Sequence, residues 1–373
     1  MYMKKITECP DVEGKYVIVR SSCNVPLKDG MVQNSYRLKR AIPTLKYLSD
    51  AGAKVIVIAH IGRDATDTLK PVLTAFQDFI PMKWGGVIGS EEFAIARGAM
   101  LNADIILAEN LRQFAGEGDN NVEFAQLLAD QADIYVNDAF DNIHRDHASM
   151  VTLPTLLPAY AGLTLVEEVT ELEKAMEPVS PSLLILGGAK FETKMPLVEK
   201  YLDLYDHVFV TGALLNDILK AEGREVGQSL VSDISLAGAP FLASSKLITA
   251  VDLVVQNERG TRTVSTGGVQ SDEKITDMGP LTIAKLAPYI KDAATILWNG
   301  PLGLYESGVA GGTHAVAELI ADAEGYSIIG GGDTVAAIED LGLNDKFGFV
   351  SIGGGAMLTL LEHGSTPSLD VLE

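Results

Sequence analysis

Residues 183–194, LLILGGAKFETK, constrain the fold more than any other stretch. Leu183 to Leu186 is a short apolar run suited to a buried strand. Gly187 and Gly188 break it, and Lys190 and Lys194 follow at helical spacing, which predicts that they share one helix face. A strand that passes through glycine into a helix brings backbone N–H groups close to a ligand, and a helix start favours anions. Two ammonium groups beside it suit a polyphosphate. The alternative is an ordinary strand-to-helix turn with two surface lysines. The same joint recurs at Gly330 and Gly353, and a fourth loop, NGPLGLYE, starts around Gly300.

The first half also alternates strands and helices. Lys15–Arg20, Lys54–Ala59, Asp104–Ala108 and Asp133–Val136 read as strands. Tyr36–Asp50, Glu91–Ala99 and Val122–Ala132 read as helices, with a poorly patterned stretch after Arg63. Apolar runs alternating with helices predict a parallel sheet covered on both faces. Polar residues fall just after the strands: Ser21, Ser22 and Asn24; then His60 and Arg63 in AHIGR; Arg112 in AENLR; and His144, Arg145 and His147 in NDAFDNIHRDHAS. Arg37 opens the first helix. Ligands of open α/β sheets bind beyond the carboxyl ends of the strands. Guanidinium forks match phosphate and carboxylate, so these arginines point to a small, doubly anionic ligand. For any one of them taken alone, a surface ion pair is the competing reading.

A chain of 373 residues has room for about two domains. Its net charge of −21 opposes nucleic acid and anionic membranes as partners, and makes a cluster of arginines an exception to the general field. Two cysteines, Cys9 and Cys23, are too few for a disulfide framework, and no Cys/His spacing suggests zinc. The segment MYMKKITECPDVEGK lacks the apolar core of a signal peptide, and the longest apolar stretch, near Leu153–Leu165, is broken by prolines. These features predict a soluble cytoplasmic protein. Residues 151–178 read as a connection that ends in a helix, VEEVTELEKAM.

The second half returns to strands and helices, with a β excursion at LVVQNERGTRTVS. Neither GxxxxGK[ST] nor GxGxxG occurs in the required setting. Asp333 and Thr334 are helix N-cap residues on one reading; on the other, Asp333 holds a nucleotide-bound Mg2+. Glu306 is a surface acid or an acceptor for a ribose hydroxyl. Trp298 reads as core.

These motifs resemble, in order and nearly end to end, those of the phosphoglycerate kinase family. VIVRSSCNVPL, YRLKRAIPTL, AHIGR, ENLR and YVNDAF with its following HR and HAS are similar to the substrate motifs. ILGGAK, LWNGPLGLYE, IIGGGDTVAA and VSIGGGA are similar to the nucleotide motifs. The resemblance implies a bilobal hinge enzyme of two Rossmann-like, three-layer αβα domains: 1–160 for phosphoglycerate, a hinge helix at 161–178, and 179–355 for nucleotide. Residues 356–373 would form a helix and tail that return to the first domain or stay with the second. It implies reversible transfer of phosphate between 1,3-bisphosphoglycerate and ADP, giving 3-phosphoglycerate and ATP with Mg2+, by a monomer. Substrate would be held by Ser22, Cys23, Asn24, Arg37, His60, Ile61, Gly62, Arg63, Arg112 and Arg145. Nucleotide would be held by Gly188, Lys190, Lys194, Asn299, Pro301, Glu306 and the Gly331, Gly332, Asp333, Thr334 loop, with Asp333 on the metal. Arg37, Lys190, Lys194, Gly332 and Gly354, within the Gly353–Gly355 turn, would serve the transferring group.

The chain departs from the family at several points. Ser22 stands where the family has Asp, whose carboxylate meets the glycerate hydroxyl, and Cys23 where it usually has Phe. Asp141-Asn142-Ile143 replaces a small Gly-Thr-Ala, the stretch after Arg63 is short, and TGALLN at 211–216 is less glycine-rich. Two other readings follow: a kinase of the same fold for another phosphorylated carboxylic acid, and a non-catalytic nucleotide-binding protein.

Overall fold

The structure is a computed structural model that describes residues 2–188 and 194–373. The chain divides into two compact units, Met1–Thr170 with His363–Glu373, and Glu171–Glu362.

The first unit is built on six parallel strands: β1 (Tyr16–Ser21), β2 (Lys54–Ile58), β3 (Lys83–Gly86), β4 (Ile105–Ala108), β5 (Ile134–Asp138) and β6 (Ala159–Ala161). Their order across the sheet is β3-β4-β2-β1-β5-β6. Val55 to Ile58 are wholly buried, because helices cover both faces and leave no side to alternate with water. Helix α1 (Tyr36–Asp50) shows why the layers hold. Leu38, Ala41, Leu45 and Leu48 recur at helical spacing and pack with Val17, Val19, Val55 and Val57. Each such aliphatic side chain contributes roughly 1.5–3 kcal/mol by leaving water. Helices α2 (Lys70–Phe76), α3 (Glu91–Gly98) and α4 (Val122–Ala129) complete the layers.

Two regions differ from the sequence reading. The unpatterned stretch after Arg63 holds α2 and β3, and residues 151–178 are more than a connection. Within them β6, an edge strand, pairs with Tyr135–Asn137, and helix α5 (Leu163–Met176) follows it. Three short residues beside a proline carry no readable period. The C-terminal residues lie with this unit: Lys4 N donates to Leu372 O at 2.9 Å, and Leu369 and Leu372 are buried.

The second unit repeats the plan. In chain order come β7 (Ser182–Leu186), α6 (Met195–Leu204), β8 (His207–Val210), α7 (Ala213–Ala221) and β9 (Leu247–Ile248). An antiparallel excursion follows, β10 (Asp252–Asn257), β11 (Gly260–Ser265) and β12 (Lys274–Met278). The chain then resumes with α8 (Pro280–Asp292), β13 (Thr295–Asn299), α9 (Gly311–Ala321), β14 (Tyr326–Gly330), α10 (Gly332–Asp340), β15 (Phe349–Val350) and α11 (Gly354–His363). The parallel sheet runs β9-β8-β7-β13-β14-β15. The expected sharing of one helix face by Lys190 and Lys194 does not hold for Lys194. Helix α6 starts at Met195, with Lys194 at its N-cap and Pro196 in its first turn, so Lys194 does not lie on a helix face. Lys190 lies outside the described residues. Among the described residues, no helix is long and apolar enough to cross a membrane.

Candidate active site

In the first sheet the chain leaves β1 for β2 on one side and later returns to β5 on the other. That reversal opens a crevice at the carboxyl ends of the strands. Ser22 and Cys23 are buried just past β1. Asn24 ties two loops together: its carbonyl accepts from Arg37 Nη1 at 2.5 Å, and its Oδ1 from Gly62 N at 3.0 Å. The turn after β2 depends on Gly62, at φ +66°, where a Cβ would overlap the Asp67 carboxylate. That carboxylate accepts from the backbone N–H of Arg63 and of Asp64, both at 3.1 Å. Asn110 joins this turn to the one after β4. Its amide accepts from Ile61 N and Arg112 N and donates to the carbonyls of Ile61 and Asp67.

Arg37, Arg112 and Arg145 converge with the fully buried Arg20. Burial first, and then the Arg112 guanidinium, lower the Arg145 pKa, with Arg20 and Arg37 adding to the effect and Asp141 opposing it. Arg63 is exposed. His60 Nδ1 stands 2.8 Å from Arg20 Nη2. A guanidinium only donates, so Nδ1 accepts and the ring proton sits on Nε2. Burial, then the charges of Arg20, Arg112 and Arg145, push the His60 pKa far below the usual histidine range. His60 is thus a neutral donor whose buried Nε2 has no partner among the described residues. Burial and Arg20 likewise lower His147 to about 4, so its 3.6 Å approach to Glu117 is not an ion pair at neutral pH. Arg20 is held by Ser149 Oγ at 2.9 Å and the Ser21 carbonyl at 2.7 Å, and Ser149 in turn donates to Glu117 at 2.6 Å. Arg20, Asn110, Ser149 and Glu117 are absent from the residues named from sequence. The signal for Arg20 was available: a charged residue closing an otherwise apolar strand.

In the second sheet the reversal falls between β7 and β13. Gly187 and Gly300 cross there so closely that a Cβ on either would overlap a carbonyl of the other. Lys194 Nζ donates to the Gly187 carbonyl. A cavity of about 310 Å³ opens beside the crossing, lined in part by Gly188, Pro301, Glu306 and Asp333. Its other wall, Lys274 to Met278 of β12, was not named from sequence. Thr334 instead braces the loop, its Oγ1 accepting from Gly300 N at 2.9 Å. Asn299 is buried with its Nδ2 3.6 Å from Met357 Sδ, and Trp298 is core, as the sequence suggested. A Cβ on Gly354 would touch Gly331 Cα, so Gly332 and Gly354 open two helices whose N-termini adjoin. Burial and the Glu306 charge raise the Asp333 pKa, and Lys194 opposes them.

A guanidinium cluster at one parallel sheet and glycine-lined helix starts over a cavity at the other are the parts of an α/β phosphotransferase. The sequence profile of phosphoglycerate kinase matches residues 6–364. The chain is 38% identical to the phosphoglycerate kinase of Methylorubrum extorquens (strain PA1), over 99% of this chain and 98% of that protein. It is also 38% identical to that of Dictyoglomus turgidum, over 97% and 96%. Among solved structures, phosphoglycerate kinase from Coxiella burnetii superposes with a TM-score of 0.83 at 34% identity, covering 100% of this chain and 99% of that one. The Pyrococcus horikoshii OT3 enzyme gives 0.86 at 26%, covering 99% and 98%. The chain belongs to the phosphoglycerate kinase family. It is a phosphotransferase with a carboxyl group as acceptor, and its reaction is the glycolytic transfer between 1,3-bisphosphoglycerate and ADP.

Proposed function

We propose that the first unit holds phosphoglycerate through Arg37, Arg112, Arg145, Arg63, Asn24 and the neutral His60, with backbone from Ser22, Cys23, Ile61 and Gly62. The second unit holds Mg-nucleotide through Gly188, Lys190, Lys194, Asn299, Pro301, Glu306 and the Gly331–Thr334 turn. The observation that carries this reading is the convergence of Arg37, Arg112 and Arg145 around Arg20 on an otherwise acidic chain. The carboxylate of 3-phosphoglycerate is already ionised, so it attacks the γ-phosphoryl group in line without a base or a covalent intermediate. Catalysis is then positioning and charge stabilisation. Arg37 and Lys194 contact the transferring group, and the starts of α10 and α11 at Gly332 and Gly354 present N–H groups to it.

The donor set fits magnesium. Among the described residues no group of three or more His, Cys, Asp or Glu side chains could hold a metal. Mg2+ needs only one or two carboxylates when phosphates and water fill its shell, and Asp333 would be one of them. When bound, the ion neutralises charge on the nucleotide phosphates. With its free cysteines Cys9 and Cys23, the enzyme fits a reducing cytoplasm, and it acts as a monomer.

A coupled assay with 3-phosphoglycerate and Mg-ATP tests this reading. Arg37→Ala should lower turnover by about 10²–10³, as loss of a preorganised charge contact does elsewhere. Unchanged turnover would remove Arg37 from the chemistry.

A further inference from the structure

One acid stands among the arginines. Ser22 Oγ donates to Asp141 Oδ1 at 2.5 Å, and Asn142 Nδ2 donates to the same oxygen at 2.6 Å. Asp141 Oδ2 turns toward Arg37, 3.8 Å from Nη1, longer than a hydrogen bond. The Asp141 side chain is only 8% exposed. Its charge acts on Arg145, His144 and Cys23, so it stands inside the cluster and not on its rim.

A fixed carboxylate weakens the hold of such a site on any anion unless it meets a donor. At neutral pH the phosphate and carboxylate of 3-phosphoglycerate are essentially acceptors, and its 2-hydroxyl is the lasting donor. We propose that Asp141 accepts the hydrogen bond of that hydroxyl through Oδ2, while Ser22 and Asn142 fix Oδ1. Asp141 is then the specificity-determining residue of this chain for 2-hydroxy acids. It rewards the hydroxyl, and it repels a ligand that carries a third anion in the same place. The inference rests on phosphoglycerate occupying the arginine cluster.

The test compares 3-phosphoglycerate with 3-phosphooxypropionate, the same acid without the hydroxyl, using the full chain and Mg-ATP. The wild type should prefer the hydroxy acid. Asp141→Asn, which keeps the shape and loses the charge, should lower kcat/KM for 3-phosphoglycerate by about tenfold to a hundredfold. It should leave 3-phosphooxypropionate unchanged or improved, with the KM for ATP unmoved. Ser22→Ala should move the preference the same way by less. Equal losses on both acids would show that Asp141 only props Arg37 and would overturn the proposal, as would an unchanged preference. A wild type inactive on both acids would overturn the underlying reading instead.

Discussion

His60 illustrates how a residue's chemistry is set by its surroundings. Burial, with the charges of Arg20, Arg112 and Arg145, keeps the ring neutral, and the Arg20 guanidinium fixes its tautomer, so Nε2 carries the proton across the physiological range. Nitrogen chemical shifts of the imidazole should therefore report a neutral ring, protonated at Nε2, from about pH 5 to pH 8. Arg20→Met removes one of these causes and should raise the His60 pKa, while burial, Arg112 and Arg145 still hold it below the ordinary histidine range. A ring that titrates near pH 6.5 in the wild type would refute this account. Arg37, Arg112 and Arg145 were legible in the sequence because each follows a strand or opens a helix, where a parallel sheet gathers ligands. Arg20 carried a signal, its charge near the end of an apolar strand, but it lies within the strand and not after it, outside the pattern that marks the other three. Asn110 was hidden because a small amide that joins two turns leaves no periodic trace.

Helices and strands were legible where one side chain pattern decided them. Tyr36–Asp50 reads with the same bounds in sequence and structure, because its apolar stripe is continuous. Lys274–Met278 did not reveal itself as a wall of the cavity. It becomes one through pairing with Leu253–Gln256, about twenty residues earlier and across a register shift, which no local pattern encodes. Helix α5 is capped by a buried acid. Asp138 Oδ1 accepts from the N–H groups of Thr164 and Leu165 at 3.0 and 3.1 Å and so caps the helix. Burial lifts its carboxyl to about 7 in spite of those bonds. An unfolded aspartate loses its proton near pH 4, so the folded chain alone keeps it between about pH 4 and pH 7. Stability from this group falls through that window and stays reduced above it. Asp138→Asn keeps the acceptor and removes the charge. In urea unfolding it should exceed the wild type by about 2–4 kcal/mol at pH 8, with the gain shrinking toward pH 4.5. A gain that does not vary with pH would contradict the assignment.

At the scale of the molecule, the two proposed ligand sets belong to different units. On that proposal, transfer needs both units to reach one phosphoryl group, and bringing them together would also exclude water. Small-angle scattering should show a smaller radius of gyration with 3-phosphoglycerate and Mg-nucleotide together than with neither. Identical profiles would argue against closure.

The division of the chain also bears on how it is made. The second unit is one continuous stretch, Glu171–Glu362, whereas the first needs His363–Glu373 to cover Ala148–Thr152. On a ribosome the later-coded half is therefore the first whose native contacts can all form. The earlier half keeps one surface bare until His363–Glu373 have followed.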